Sequence, residues 1–344
     1  MVRRIFFFLL ISLLFLSCSV DVKYEKFKEH KELVPIRQQI EVDDSSCYMR
    51  YPIRVRLADS LLFVMDLHAP IAYCHQFTYP GLEYMKSLAY RGEALGQFIN
   101  ADNIRINPNG SLLLLSANQN CIVRINPDTG ETESKLNLPK NLLRTLDFIQ
   151  LPDSSFIVPD YTGTHRLTMI SPTGEILDRL HTIPRSKEQE SEGVVLAQAW
   201  RSFIDYNPEN GILAMVTQLG EVLEAYDMKN DSLIKVTVGR AGVPEFIDKG
   251  SYAVPNGIMG YGDVQVTKDR IYALFWNTSL KDIRQEKENI DGGRFIHEFD
   301  LNGNPICQYE LDRYITGFCI DEEKEQIIAL DINSNAPIVV YDLK

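Results

Sequence analysis

The stretch Asn103 to Pro139 constrains the fold more than any other, because the chain beyond residue 50 reads as loose copies of it. Within it Ile104-Arg105-Ile106 alternates, Asn107-Pro108-Asn109-Gly110 turns, and Ser111 to Ala117 runs apolar. Asn118-Gln119-Asn120 turns into Cys121 to Ile125, and Asn126-Pro127-Asp128-Thr129-Gly130 turns into Glu131 to Leu138. Asn, Pro, Asp and Gly supply the positive or fixed φ values that tight reversals need, so the unit is a four-stranded antiparallel meander. Repeated at roughly 40–50 residues, such a unit is the signature of a β-propeller blade.

Six copies are legible. They run Ile53 to Ala89, the stretch above, Leu143 to His181, Ser202 to Val238, Gly262 to Leu311, and Ile315 to Tyr341. The last copy stops three strands in, while a spare strand, Leu33 to Val42, precedes the first. A strand from one terminus that completes the blade of the other removes the unpaired edges between them. The expected fold is therefore all-β, a six-bladed propeller over 33–344 whose ring is closed by the N-terminal strand.

Two stretches carry a family resemblance: Arg91-Gly92-Glu93-Ala94-Leu95-Gly96-Gln97-Phe98 after the first copy, and Asn256 to Trp276 in the fifth, with Tyr261-Gly262-Asp263 and Asp269 to Leu274. With the order of parts, they resemble the TolB-like six-bladed propeller family of bacterial lipoproteins. The resemblance implies a fold and an address, and no catalytic residues. WD dipeptides and paired kelch glycines, the marks of other propellers, are absent.

The front of the chain reads as a targeting segment. Arg3-Arg4 is a positive start, and Ile5 to Leu16 is an apolar run well short of the roughly 20 residues that span a membrane. Phe15-Leu16-Ser17-Cys18 resembles a lipobox, although Phe15 replaces the usual Leu. This implies cleavage after residue 17, acylation at Cys18, and a membrane partner reached through lipid. Residues 18–32 are polar and read as a tether, which puts the domain in the bacterial envelope, facing periplasm or cell surface.

The formal charge of −12, with no basic patch interleaved with aromatics, disfavours nucleic acid as a partner. Cys47, Cys74, Cys121, Cys307 and Cys319 form no CxxC pattern; most sit in apolar runs and read as buried thiols, with one disulfide possible in an oxidising compartment. There is no P-loop, dinucleotide fingerprint or GxSxG elbow, and no cofactor is expected. Asp205 to Gly211 places its glycine one position late for a calcium loop, so no metal site is expected either.

Strands alternate in direction, so all the long connections open on one face: Gly92 to Asn100, Asp160 to His165, Pro184 to Gln198, Arg240 to Tyr261 and Asn277 to Gly293. Long loops in a compact domain are usually functional or disordered, and rigid scaffolds carry binding groups on them. The candidate binding residues on this face are Arg91, Glu93, Asp160, His165, Arg240, Glu245, Asn256, Tyr261, Asp263 and Trp276. Arg91/Glu93 and Arg240/Glu245 serve equally well as braces between blades. Trp200 and Trp276 flank the face, and Trp276 could stack a sugar or peptide. The expected function is a binding or scaffolding module for an envelope protein, peptide or glycan. The alternative is a lactonase-like metal-dependent hydrolase or lyase with Glu, Asn and Asp at the channel mouth.

Overall fold

The computed structural model describes residues 24–39, 47–107, 109–184, 191–285 and 291–344. Six antiparallel blades surround a central channel. Their inner strands are Pro52–Ala58, Asn103–Ile106, Ile149–Gln150, Ser202–Asn207, Ile258–Val266 and Gly317–Asp321. The middle strands are continuous apolar runs, as in Leu112–Ser116 and Ile212–Thr217, where every residue is buried. Both their faces meet a neighbouring blade, so they lack the alternation of a half-exposed strand. Outer strands such as Thr132–Asn137 are polar and largely exposed.

Apolar packing lies between blades, with one cluster at each of the six interfaces. The cluster that closes the ring joins Val55, Leu62, Val64 and Phe77 of the first blade to Ile328, Leu330, Ile338 and Val340 of the last. A seventh cluster on the long-loop face holds a short helix, Gly193–Ala199, against Trp200 and Val222. A small hairpin, Phe246–Asp248 with Ala253–Pro255, packs on the same cluster. Insertions that read as loops in the sequence thus bury apolar surface of their own. A second helix, Leu280–Arg284, is shorter than the periodic stretch Leu280 to Asp291, part of which lies outside the described residues.

Closure differs in detail from the strand expected over Leu33 to Val42. Pro35–Gln38 pairs antiparallel with Ile338–Asp342 and completes the sixth blade. Ahead of it, Glu29–Leu33 runs parallel to Pro305–Ile315 as a fifth strand on the fifth blade. Pro35 lacks a backbone donor and restricts Val34, so the ladder breaks there and the chain passes from one blade to the next. Residues 40–42 lie outside the described residues. The stretch read as a tether is therefore docked from its last part onward. Glu25 N donates to Val238 O at 2.9 Å, Lys28 N to Ile306 O at 3.0 Å, and Phe27 lies 4.3 Å from the His297 ring.

The third inner strand also departs from its expected span, Leu143 to Gln150, and keeps only Ile149–Gln150. Asp147 turns its carboxylate back onto Phe148 N at 2.8 Å and leaves the ladder. Five cysteines, Cys47, Cys74, Cys121, Cys307 and Cys319, are buried free thiols.

Candidate functional site

The inner strands, with Asp147 just ahead of the third, bring six charged side chains to the axis. Residues two apart on a strand share a face, so Arg54 and Arg56 point the same way. Arg56 meets Asp263 through two bonds of 3.0 Å each. Arg105 binds both oxygens of Asp147, at 2.9 and 2.8 Å, and reaches Asp205 at 2.5 Å. It also donates to the carbonyl of Ile204. The carboxylates latch blade to blade as well. Asp147 accepts from Ile204 N at 3.0 Å and Asp205 from Val266 N at 2.7 Å; Gln265 accepts from Ile320 N at 2.8 Å. Burial alone would raise the Asp263 pKa, but Arg54 and Arg56 hold it below the usual carboxylate range. Asp205 moves the other way: burial raises it more than Arg105 lowers it.

This charged belt divides the channel into two mouths. On the short-turn side lies a cavity of about 390 Å³ lined by polar groups such as Arg56, Asn107, Gln150, Asp205 and Gln265. On the long-loop side lies one of about 170 Å³, walled by Tyr51, Phe203, Met259, Tyr261 and Trp276, with Arg54 between it and Asp263. Gly262 shapes this smaller cavity, because a Cβ there would overlap the Trp276 indole. The Tyr261 hydroxyl lies 3.1 Å from His297 Nδ1. Burial pushes that imidazole down to about 3, so Glu221, 3.8 Å away, faces a neutral ring. Burial pushes Glu221 up in turn.

Of the residues singled out in the sequence, Tyr261, Asp263 and Trp276 come together at the axis, joined by Arg54 and Phe203. The others do not. Asp160 is buried in the third blade, where it accepts from Thr168 Oγ1 at 2.7 Å and Arg179 Nη1 at 2.6 Å. His165 begins the next strand of that blade, opposite Thr182. Arg91 is exposed on the rim and donates to Ala69 O at 3.0 Å, and Glu93 is exposed beside it. Arg240 is exposed ahead of the hairpin, while Glu245 and Asn256 bracket it, with Asn256 N donating to Glu245 O at 3.0 Å. Trp200 is fully buried against the Arg166 guanidinium, at 5.5 Å, and does not flank the face. Arg166 forms its own buried pair with Glu224 at 2.5 Å, bracing the third blade to the fourth.

Arg54 and Arg56 are functional-looking residues that sequence reasoning missed. Their signal was the alternation Ile53-Arg54-Val55-Arg56-Leu57 on an inner strand, where the polar side faces the axis rather than solvent. Among the described residues, one group could hold a cation by proximity alone. It comprises His30, Glu32 and Glu310, within 4.8 Å of one another, and lies at the outer edge of the fifth blade. Arg294 already sits 3.0 Å from Glu310 there.

No curated protein matches the sequence. Among solved structures, a Bacteroides fragilis protein described by its name as exported superposes with a TM-score of 0.58 at 11% identity, covering 91% of this chain and 97% of its own. A duf4221 family member from Bacteroides vulgatus superposes with a TM-score of 0.59 at 11% identity, covering 90% and 96%. At such identity they share the fold and nothing finer. The model of the "TolB-like 6-blade propeller-like" family matches residues 27–323, most of the ring. The chain belongs to the TolB-like six-bladed propeller family.

Proposed function

We propose that this propeller is a binding module of the bacterial envelope that takes its ligand at the long-loop mouth of the channel. One observation carries the reading. The long-loop mouth combines an aromatic and apolar wall with buried donors, Arg54 Nε and Trp276 Nε1, that have no hydrogen-bond partner among the described residues. Ligand sites are mostly apolar concavities with a few placed polar groups, and this mouth has that composition. The metal-hydrolase alternative has less support, since Asp147, Asp205 and Asp263 each already bind a guanidinium. The envelope address rests on the leader and Cys18, with the Bacteroides fragilis protein of the same fold, described by its name as exported, in agreement. Palmitate labelling that persists in Cys18→Ser would remove the lipid anchor from this reading.

The test of the mouth is a thermal-shift screen of small molecules against three proteins: wild type, Met259→Trp and Ala58→Trp. The first substitution fills the long-loop mouth and the second fills the cavity at the short turns. Compounds that stabilise the wild type should lose their effect in Met259→Trp and keep it in Ala58→Trp. The reverse pattern places binding at the other mouth.

A further inference from the structure

We infer that the long-loop mouth takes a carboxylate bearing one aromatic or branched apolar group, with the carboxylate at Arg54 Nε and Trp276 Nε1. The inference rests on the reading of this mouth as the binding site and names its ligand class.

Size comes first. A cavity of about 170 Å³ holds one ring or one branched side chain; an engineered apolar cavity of about 150 Å³ takes benzene. The walls Phe203, Met259, Tyr261 and Trp276 give that group an apolar lining.

Polar demand comes second. Arg54 is only 4% exposed, and its Nε has no hydrogen-bond partner among the described residues; Trp276 Nε1 is likewise buried and without a hydrogen bond. Buried donors are nearly always paired, because leaving one unmade costs its desolvation. Both are donors, so the missing ligand atom is an acceptor.

Charge makes that acceptor an anion. Asp263 spends its two oxygens on Arg56 and stands 3.8 Å from Arg54 Nε. Arg105, by contrast, draws on both Asp147 and Asp205. The belt has as many arginines as aspartates, but Arg54, the arginine that lines the long-loop mouth, bonds no carboxylate directly and has only the 3.8 Å approach to Asp263. Desolvation accordingly lowers the Arg54 pKa, and Asp263 only partly offsets it. An added carboxylate at Arg54 restores the balance there. On the other side of the mouth burial and the nearby Asp291 charge push the Tyr51 hydroxyl pKa up, and that charge would repel an anion. The carboxylate therefore belongs on the Arg54 side. A free small acid and the C-terminal residue of a peptide present the same group, and the test separates them.

The experiment is calorimetric titration of the full chain with phenylacetate, phenylacetamide, Gly-Gly-Phe and Gly-Gly-Phe amide. Phenylacetate should bind one saturable site, with phenylacetamide at least tenfold weaker. Trp276→Phe keeps a ring and removes the N–H, and should weaken phenylacetate by about fivefold without moving the Tm. Met259→Trp should abolish binding. Gly-Gly-Phe binding tighter than phenylacetate, and lost on amidation, would assign the carboxylate to a chain terminus; phenylacetate binding alone would assign it to a free acid. Amides that bind as well as acids, no binding of either acid, or an affinity unchanged in Trp276→Phe would overturn the ligand class. Compounds lost in Met259→Trp would still support the mouth in those cases. Phenylacetate binding that survives Met259→Trp overturns the mouth as well.

Discussion

The two ends of the channel solve the same problem differently. Both bury arginine on an inner strand, where an uncompensated charge is costly. At the short-turn end Arg105 is surrounded, with Asp147, Asp205 and the Ile204 carbonyl all accepting from it. At the long-loop end Arg54 stands 3.8 Å from Asp263, whose carboxylate is bonded by Arg56, and lies over the Phe203 ring at 4.5 Å in place of a carboxylate of its own. A ring face offers a guanidinium far less than a carboxylate does. The Arg105 joint is made by carboxylates on both sides, whereas Arg54 Nε has no hydrogen-bond partner among the described residues.

The largest effect expected from this contrast is on stability. Asp263→Asn removes the carboxylate nearest to two buried arginines, the one that Arg56 bonds directly, and should cost about 3–5 kcal/mol in denaturant unfolding. Asp205→Asn should cost only about 1–2 kcal/mol, because Arg105 keeps Asp147. Equal losses would mean that the two ends are paired alike.

A smaller effect concerns pH. His297 bonds to Tyr261, which walls the long-loop mouth, and burial holds its imidazole down at about 3. In the unfolded chain the ring titrates near 6.5. Between those values the unfolded chain binds a proton that the folded ring refuses. Stability from this residue is complete above about pH 6.5 and is lost as pH falls towards 3. His297→Phe, in a setting already formed by Phe27, Phe275 and Phe299, should flatten that part of the profile in melts from pH 7 to 4. A slope as steep as the wild type's would assign the acid sensitivity elsewhere.

The blade pattern was legible because the middle strands are buried on both faces and the turns between them need Asn, Asp, Pro and Gly. Leu112–Ser116 and Ile271 to Phe275 announce themselves as strands for that reason. Glu29–Leu33 did not: an outermost strand faces water on both sides and is as charged as any tether. Arg54 and Arg56 alternate with apolar residues as solvent-facing charges do, and Arg56 lies 207 positions from Asp263. Only the closed ring makes that pair visible. Asp160 and Trp200 were misplaced for the opposite reason, since loop position in the sequence says nothing of depth. Tyr261, Asp263 and Trp276 were found because the inner and second strands of one blade carry them together.

The most direct measurement is a crystal soaked with 4-bromophenylacetate, with the bromine located by anomalous scattering. A peak in the long-loop mouth, beside Trp276 and Met259, is the predicted result. A peak in the cavity lined by Gln150 and Tyr206, with none beside Trp276, would contradict it.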